Sequence, residues 1–203
     1  MTSTRSHAAP EATTTIEQRI LDAAFACFER FGVGKTTMDD VARTAKVSRQ
    51  SVYRHFAGKD DLLDAVCCRE AVSINQVVRK RVGKADDFAS LVSEALFVII
   101  TEGNRNPYLR QIVGSPTLQA VVTNPRSRAY QLNVSYWHEL MERAREAGHL
   151  AEDITLDEIV GWLLMMQSVL QVRLAEGGLG EPDLRRLISR FTVAPLLQRP
   201  SGG

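Results

Sequence analysis

The chain has 203 residues, 44% hydrophobic and 24% charged, with 25 Lys and Arg against 24 Asp and Glu. That is room for one compact unit, or for a small module joined to a larger one, with an adequate core and an ordinary globular composition. The longest apolar run, Ala95 to Ile100, is far below the roughly 18 residues that span a bilayer, and the start has no apolar core of the secretory kind, so no membrane partner and a cytoplasmic location are expected.

Residues 1–15 mix Ser, Thr, Ala and Pro without apolar periodicity and read as a flexible arm. Ile16, Ile20, Ala24, Phe28 and Phe31 then recur at helical spacing, and Gly32-Val33-Gly34 stops that helix. Thr36 and Thr37 precede Asp39 and Asp40 by three residues, the spacing of a capping box, and open a short helix with Met38, Val41, Ala42 and Ala45 on one face. After about three residues Ser48 can cap a second short helix, with Val47 and Val52 at the two positions of a hydrophobic staple. Gly58 ends it. "KDDLLDAV" opens the next helix with carboxylates in the first turn, where the helix dipole favours them, and that helix runs to about Val82.

Beyond Gly83, punctuation divides the chain into helices at about 86–102, 125–147, 155–175 and 182–197, with a broken region around Asn106-Pro107 and Ser115-Pro116. No convincing strand or repeat occurs, so the predicted fold class is all-α. The helix at 155–175 is apolar nearly all round and should be buried on more than one side.

Positive charge is concentrated in "KVSRQSVYRHFAGK", residues 46–59, which has no carboxylate. Two short helices joined by a tight turn, the second rich in long polar donors, is the arrangement of a helix-turn-helix. At about 100° per residue, Val52 and Phe56 share a buried side while Gln50, Ser51 and Arg54 point away, with Arg49 and Tyr53 along one edge and His55 along the other. Gln can pair with adenine and Arg with guanine through two hydrogen bonds. Thr37 and Lys59 stand at helix starts, where phosphates are held without reading sequence. A merely solvated basic face is disfavoured by the capped turn, the absence of Asp and Glu from 43 to 59, and an exposed tyrosine among cations.

"ILDAAFACFERFGVGKTTMDDVARTAKVSRQSVYRHFAGKDDLLDAV" resembles the N-terminal DNA-binding domain of TetR-family transcriptional regulators, over about residues 16–66. The resemblance implies that Thr37, Arg49, Gln50, Ser51, Tyr53, His55 and Lys59 match positions that touch DNA; Thr36, Ser48 and Arg54 complete the candidate set. Many members have Gly where this chain has Lys46, so a side chain here has to adopt positive φ.

Other motifs carry no chemistry. "GVGKTT", residues 32–37, lacks the first glycine of a phosphate loop, since position 29 is Glu29, and a helix rather than a strand precedes it. Asn133-Val134-Ser135 fits a glycosylation triplet by chance, and His138 and His149 lack partners at metal-ligand spacing. Cys27, Cys67 and Cys68 read as reduced, packed residues. No catalytic set, metal site or cofactor is expected.

The resemblance also implies three parts: the arm, a helix-turn-helix DNA-binding domain at 16–62, and a larger helical ligand-binding and dimerisation domain at 63–203. The last two long helices are expected to pair with those of a second copy, giving a homodimer suited to a palindromic operator in double-stranded DNA. A small-molecule effector, mostly apolar, is expected in the larger domain, with Phe97, Ile100, Tyr108, Leu118, Trp137, Trp162, Met165 and Met166 as candidate contacts. The expected function is thus a ligand-responsive repressor; the alternative is a constitutive DNA-binding dimer whose large domain only dimerises or binds a protein partner.

Overall fold

A computed structural model describes residues 15–82, 87–113 and 116–197. These form α1 (Ile16–Phe31), α2 (Met38–Ala45), α3 (Arg49–His55), α4 (Lys59–Val82), α5 (Phe88–Arg105), α6 (Pro107–Ile112), α7 (Pro116–Val122), α8 (Arg128–Glu146), α9 (Leu156–Ala175) and α10 (Glu181–Leu187). Among the described residues there is no strand, only one isolated antiparallel bridge between Leu150 and Leu197. The fold is all-α, with a three-helix head at the N-terminal end. The expected arm, apart from Thr15, and the helix boundaries expected at Gly83 and Asp86 lie outside the described residues.

Capping chemistry sets the short helices. The Thr37 hydroxyl accepts from the Asp40 N–H, and the Asp40 carboxylate accepts from the Thr37 N–H at 3.1 Å and the Thr37 hydroxyl at 2.6 Å. Those bonds hold the Asp40 carboxyl below its ordinary value of 3.8, and the same box between Thr155 and Glu158 lowers Glu158 below 4.5. Both carboxylates bind a proton less readily in the folded chain than in the unfolded one. Their contribution to stability is therefore complete above the ordinary values and is lost as pH falls through the lower folded ones. Asp40→Asn is expected to make the stability lost between about pH 5 and about pH 2 smaller, measured as urea midpoints across that range.

The turn between α2 and α3 has its cost at Lys46, which takes the left-handed conformation (φ 55°, ψ 46°) and closes α2 through its N–H to the Ala42 and Arg43 carbonyls. A Cβ is disfavoured in that conformation, and glycine relieves the conflict. Lys46→Gly is expected to raise stability by about 1 kcal/mol, seen as a higher urea midpoint at unchanged slope; an unchanged midpoint would mean that the turn is unstrained.

Packing falls into two apolar clusters. One joins Ile20, Phe28, Val41, Val52, Phe56, Leu62, Leu63 and Val66 of α1 to α4 with Tyr108, Leu109 and Ile112 of α6. The other joins α5, α8, α9 and the C-terminal helices around Leu96, Ile100, Trp137, Met141, Ile159, Leu163 and Ile188. Helix α4 contributes to both, through Leu62 at its start and Val78 near its end.

Polar ties fix the long helices to one another. Asp64 of α4 accepts from the Ser127 hydroxyl at 2.8 Å and from the Arg128 and Ala129 N–H groups at 2.9 and 3.1 Å, so a side chain of α4 caps the first turn of α8. Asn106 ends α5 and caps α6 by accepting from the Tyr108 and Leu109 N–H groups, while its own amide donates to Glu70 of α4 at 2.8 Å.

Two expectations change in detail. The single helix expected over 182–197 is α10 followed by a widened π-type turn, Ile188–Val193, and a 3₁₀ turn, Ala194–Leu196. Pro195 has no N–H to close an α-helical bond, and the Thr192 carbonyl accepts from the Trp162 indole at 3.1 Å. Helix α9 buries Ile159, Val160, Leu163 and Leu170, yet Met165 stays 51% exposed and Val169 49%, with Phe191 of the last helical segment at 64%.

Candidate nucleic-acid interface and cavity

Helix α3 is short, and its position is set from below and from its start. Val52 is fully buried and Phe56 nearly so, while the Ser48 hydroxyl accepts from the Ser51 N–H at 3.0 Å. Arg19 of α1 braces the turn from the other side, donating to the Ala45 carbonyl at 2.7 Å. With one face anchored, helical geometry turns Arg49, Gln50, Tyr53, Arg54 and His55 outward, all exposed, with Ser51 between them half-buried.

The outward face is partly ordered. The Arg49 guanidinium donates to Asp39 at 3.2 Å and lies 5.4 Å from the Tyr53 ring centre; the Tyr53 hydroxyl, and after it the Asp39 carboxylate, favour its charged form. Arg54 donates to the Ser51 hydroxyl at 3.2 Å. These contacts hold two guanidiniums along one rigid helix, which is the chemistry of bidentate base or phosphate recognition.

Two candidates have partners within the head itself. Thr36 is only 2% exposed, and its hydroxyl donates to the Cys27 and Gly32 carbonyls at 3.1 and 2.9 Å, so it clasps the end of α1 instead of facing outward. Its neighbour Thr37 is the exposed N-cap of α2. The Lys59 ammonium donates to the Val33 and Gly34 carbonyls at 3.2 and 3.3 Å, tying the start of α4 to the loop after α1. Its positive charge still stands at that helix start, but two of its three donors have protein partners.

A cavity of about 590 Å³ lies among α7, α8 and α9, lined by Leu118, Gln119, Tyr130, Asn133, Met165 and Gln171 among others. A narrower extension of about 70 Å³ continues from it towards α4 and α5, past Asn75, Gly103 and Gln171. Of the eight candidate ligand contacts, only Leu118 and Met165 reach this space. Phe97, Ile100 and Trp137 belong to the second apolar cluster, with Trp162 and Met166 packed against it, and Tyr108 belongs to the first. The largest apolar residues here fill the core, and the cavity wall combines smaller aliphatic side chains with the amides of Gln119, Asn133, Gln167 and Gln171. The missed signal was the pair Gln167 and Gln171, one helical turn apart in the largely apolar middle of α9.

The cysteines behave as packing. Cys27 and Cys67 are buried and Cys68 half-buried, and burial pushes the Cys67 thiol up to about 12, far from the thiolate that reacts.

The model of bacterial regulatory proteins of the tetR family matches residues 20–66, the head just described. The HTH-type transcriptional regulator SrpR of Pseudomonas putida is 28% identical over 149 residues, covering 71% of this chain and 68% of that protein. The probable acrEF/envCD operon repressor of Escherichia coli (strain K12) is 32% identical over 63 residues, 31% of this chain and 28% of that one. A putative TetR-family transcriptional regulator from Rhodococcus sp. superposes with a TM-score of 0.67 at 18% identity over 86% of this chain and 94% of that one, which is agreement of fold. Motif, head geometry and relatives agree on the head: residues 20–66 are a helix-turn-helix of the kind found in bacterial regulatory proteins of the tetR family.

Proposed function

We propose that this protein is a homodimeric repressor that reads a palindromic operator with α3 of each copy and releases it when a small molecule fills the cavity. The observation that carries the reading is the fixed, outward face of α3: Arg49, Gln50, Tyr53, Arg54 and His55 stand exposed on a helix whose opposite side is locked by Val52 and Phe56. Thr37, Ser48, Ser51 and Lys59 frame that face at helix starts and along its edge.

Repression is supported by the relative named as an operon repressor. Dimerisation is supported by Met165, Val169 and Phe191, large apolar side chains left about half exposed or more on α9 and the last helical segment, where a second copy would cover them. The cavity volume, about 590 Å³, lies within the range of small-molecule sites. We assign residues 16–62 to DNA binding and 63–203 to effector binding and dimerisation.

Selection from a random duplex library at about physiological salt tests the reading. The expected product is a palindrome whose half-site centres lie about 34–36 Å apart. Retained sequences with a single half-site, or no enrichment over the input, would overturn dimeric, sequence-specific binding.

A further inference from the structure

The cavity and its narrow extension are lined by side-chain amides: Asn75, Gln119, Asn133, Gln167 and Gln171. Among the described residues no Asp or Glu lines either part, and the charged one that does is Arg173, exposed at the rim. Gln167 is engaged, accepting from the Trp137 indole at 3.3 Å, and the Asn133 amide donates to the Ala129 carbonyl at 3.0 Å.

Asn75 and Gln171 differ. Asn75 is only 9% exposed, lies midway along α4 and lines the extension. Gln171 lines both spaces, with its amide so close to Gly103 of α5 that a Cβ there would meet its nitrogen at 2.5 Å. Neither side chain hydrogen-bonds another described residue. A carboxamide shut away from protein partners is costly unless whatever fills the space satisfies it. Each amide presents one acceptor and two donor hydrogens, so its complement carries both functions without a net charge.

We propose that the cavity binds an uncharged, largely apolar molecule bearing a group that both donates and accepts hydrogen bonds, such as an amide or hydroxyl, seated against Asn75 and Gln171, and that it discriminates against organic cations. A quaternary ammonium offers no donor to these amides, finds no carboxylate and meets the positive rim at Arg173. Apolar contact comes from Val113, Leu118, Val122 and Leu164. This assignment rests on the reading of the domain as effector-binding and names the class of effector.

Calorimetric titration of the full chain with octanamide and with octyltrimethylammonium separates the classes, since both carry the same apolar chain. Octanamide is expected to bind at least about ten-fold more tightly, each ten-fold step being about 1.4 kcal/mol. Gln171→Glu, nearly isosteric, is expected to reverse the order by giving the cation a carboxylate. Equal binding, preference for the cation by the unaltered chain, binding of neither probe, or an unchanged order in Gln171→Glu would overturn the proposal. Operator affinity measured with each probe separates the two readings. The expected preference with operator affinity unchanged would defeat the effector-released repressor and leave the ligand class standing; tighter binding of the cation together with operator release would do the reverse.

Discussion

Tyr108→Ala is expected to lower the free energy of unfolding by about 3–5 kcal/mol, as truncating a fully buried aromatic does. Tyr108 belongs to α6 but is fully buried among residues of the head: its ring lies 5.4 Å from that of Phe25 and is stacked 5.7 Å from that of Phe28, both on α1, with the Cys67 thiol of α4 3.9 Å from its hydroxyl. Removing it opens a void between α1, α4 and α6 that rigid helices cannot close. Tyr108→Phe is the contrast, because the hydroxyl has only a long contact to sulfur, and it should cost no more than about 1 kcal/mol. Urea unfolding of the two variants decides. A loss near 1 kcal/mol in the alanine variant, about the scale of a single hydrogen bond, would mean that α6 does not anchor the head.

Gln50→Ala is expected to reduce discrimination at one operator base pair by about five- to 150-fold, the 1–3 kcal/mol that a good side-chain pair supplies. Its side chain is exposed on the anchored helix, so truncation removes readout while Val52, Phe56 and the Ser48 cap keep α3 in place. Lys59→Ala should behave differently, weakening all duplexes alike and flattening the salt dependence by about one unit. Because the Lys59 ammonium also holds the Val33 and Gly34 carbonyls, that variant should lose some stability as well. Binding curves on operator and single-base variants at several salt concentrations separate the effects; equal loss of preference in both variants would contradict the assignment.

The head was legible because its determinants are local. A cap three residues from its partner, a glycine after a helix and a 100° wheel placing Val52 opposite Gln50 all act within one or two turns. The neighbouring threonines were not separable in this way: both sit three residues before an aspartate, and only packing against the end of α1 buries Thr36 and leaves Thr37 as the cap. Lys59 reaches a loop some 25 residues earlier, which no periodicity encodes. The cavity was the least legible part. Trp137 and Ile100 look like lining because they are large and apolar, yet the same property draws them into the core. The cavity walls depend on how α7, α8 and α9 are spaced, and helical spacing within one segment carries no information about that.

Helix α4 reaches from the head to the far cluster, and Asp64 binds it to the first turn of α8. Its 24 residues make a rod about 36 Å long at 1.5 Å per residue. On such a rod mechanical advantage matters more than the size of any one displacement: a tilt of about 3° at one end carries the other about 2 Å. From Asn75 to Lys59 the arm is about 24 Å, so the same tilt there would displace the start of α4 by about 1.3 Å, more than the roughly 0.5 Å spread of ordinary hydrogen-bond lengths.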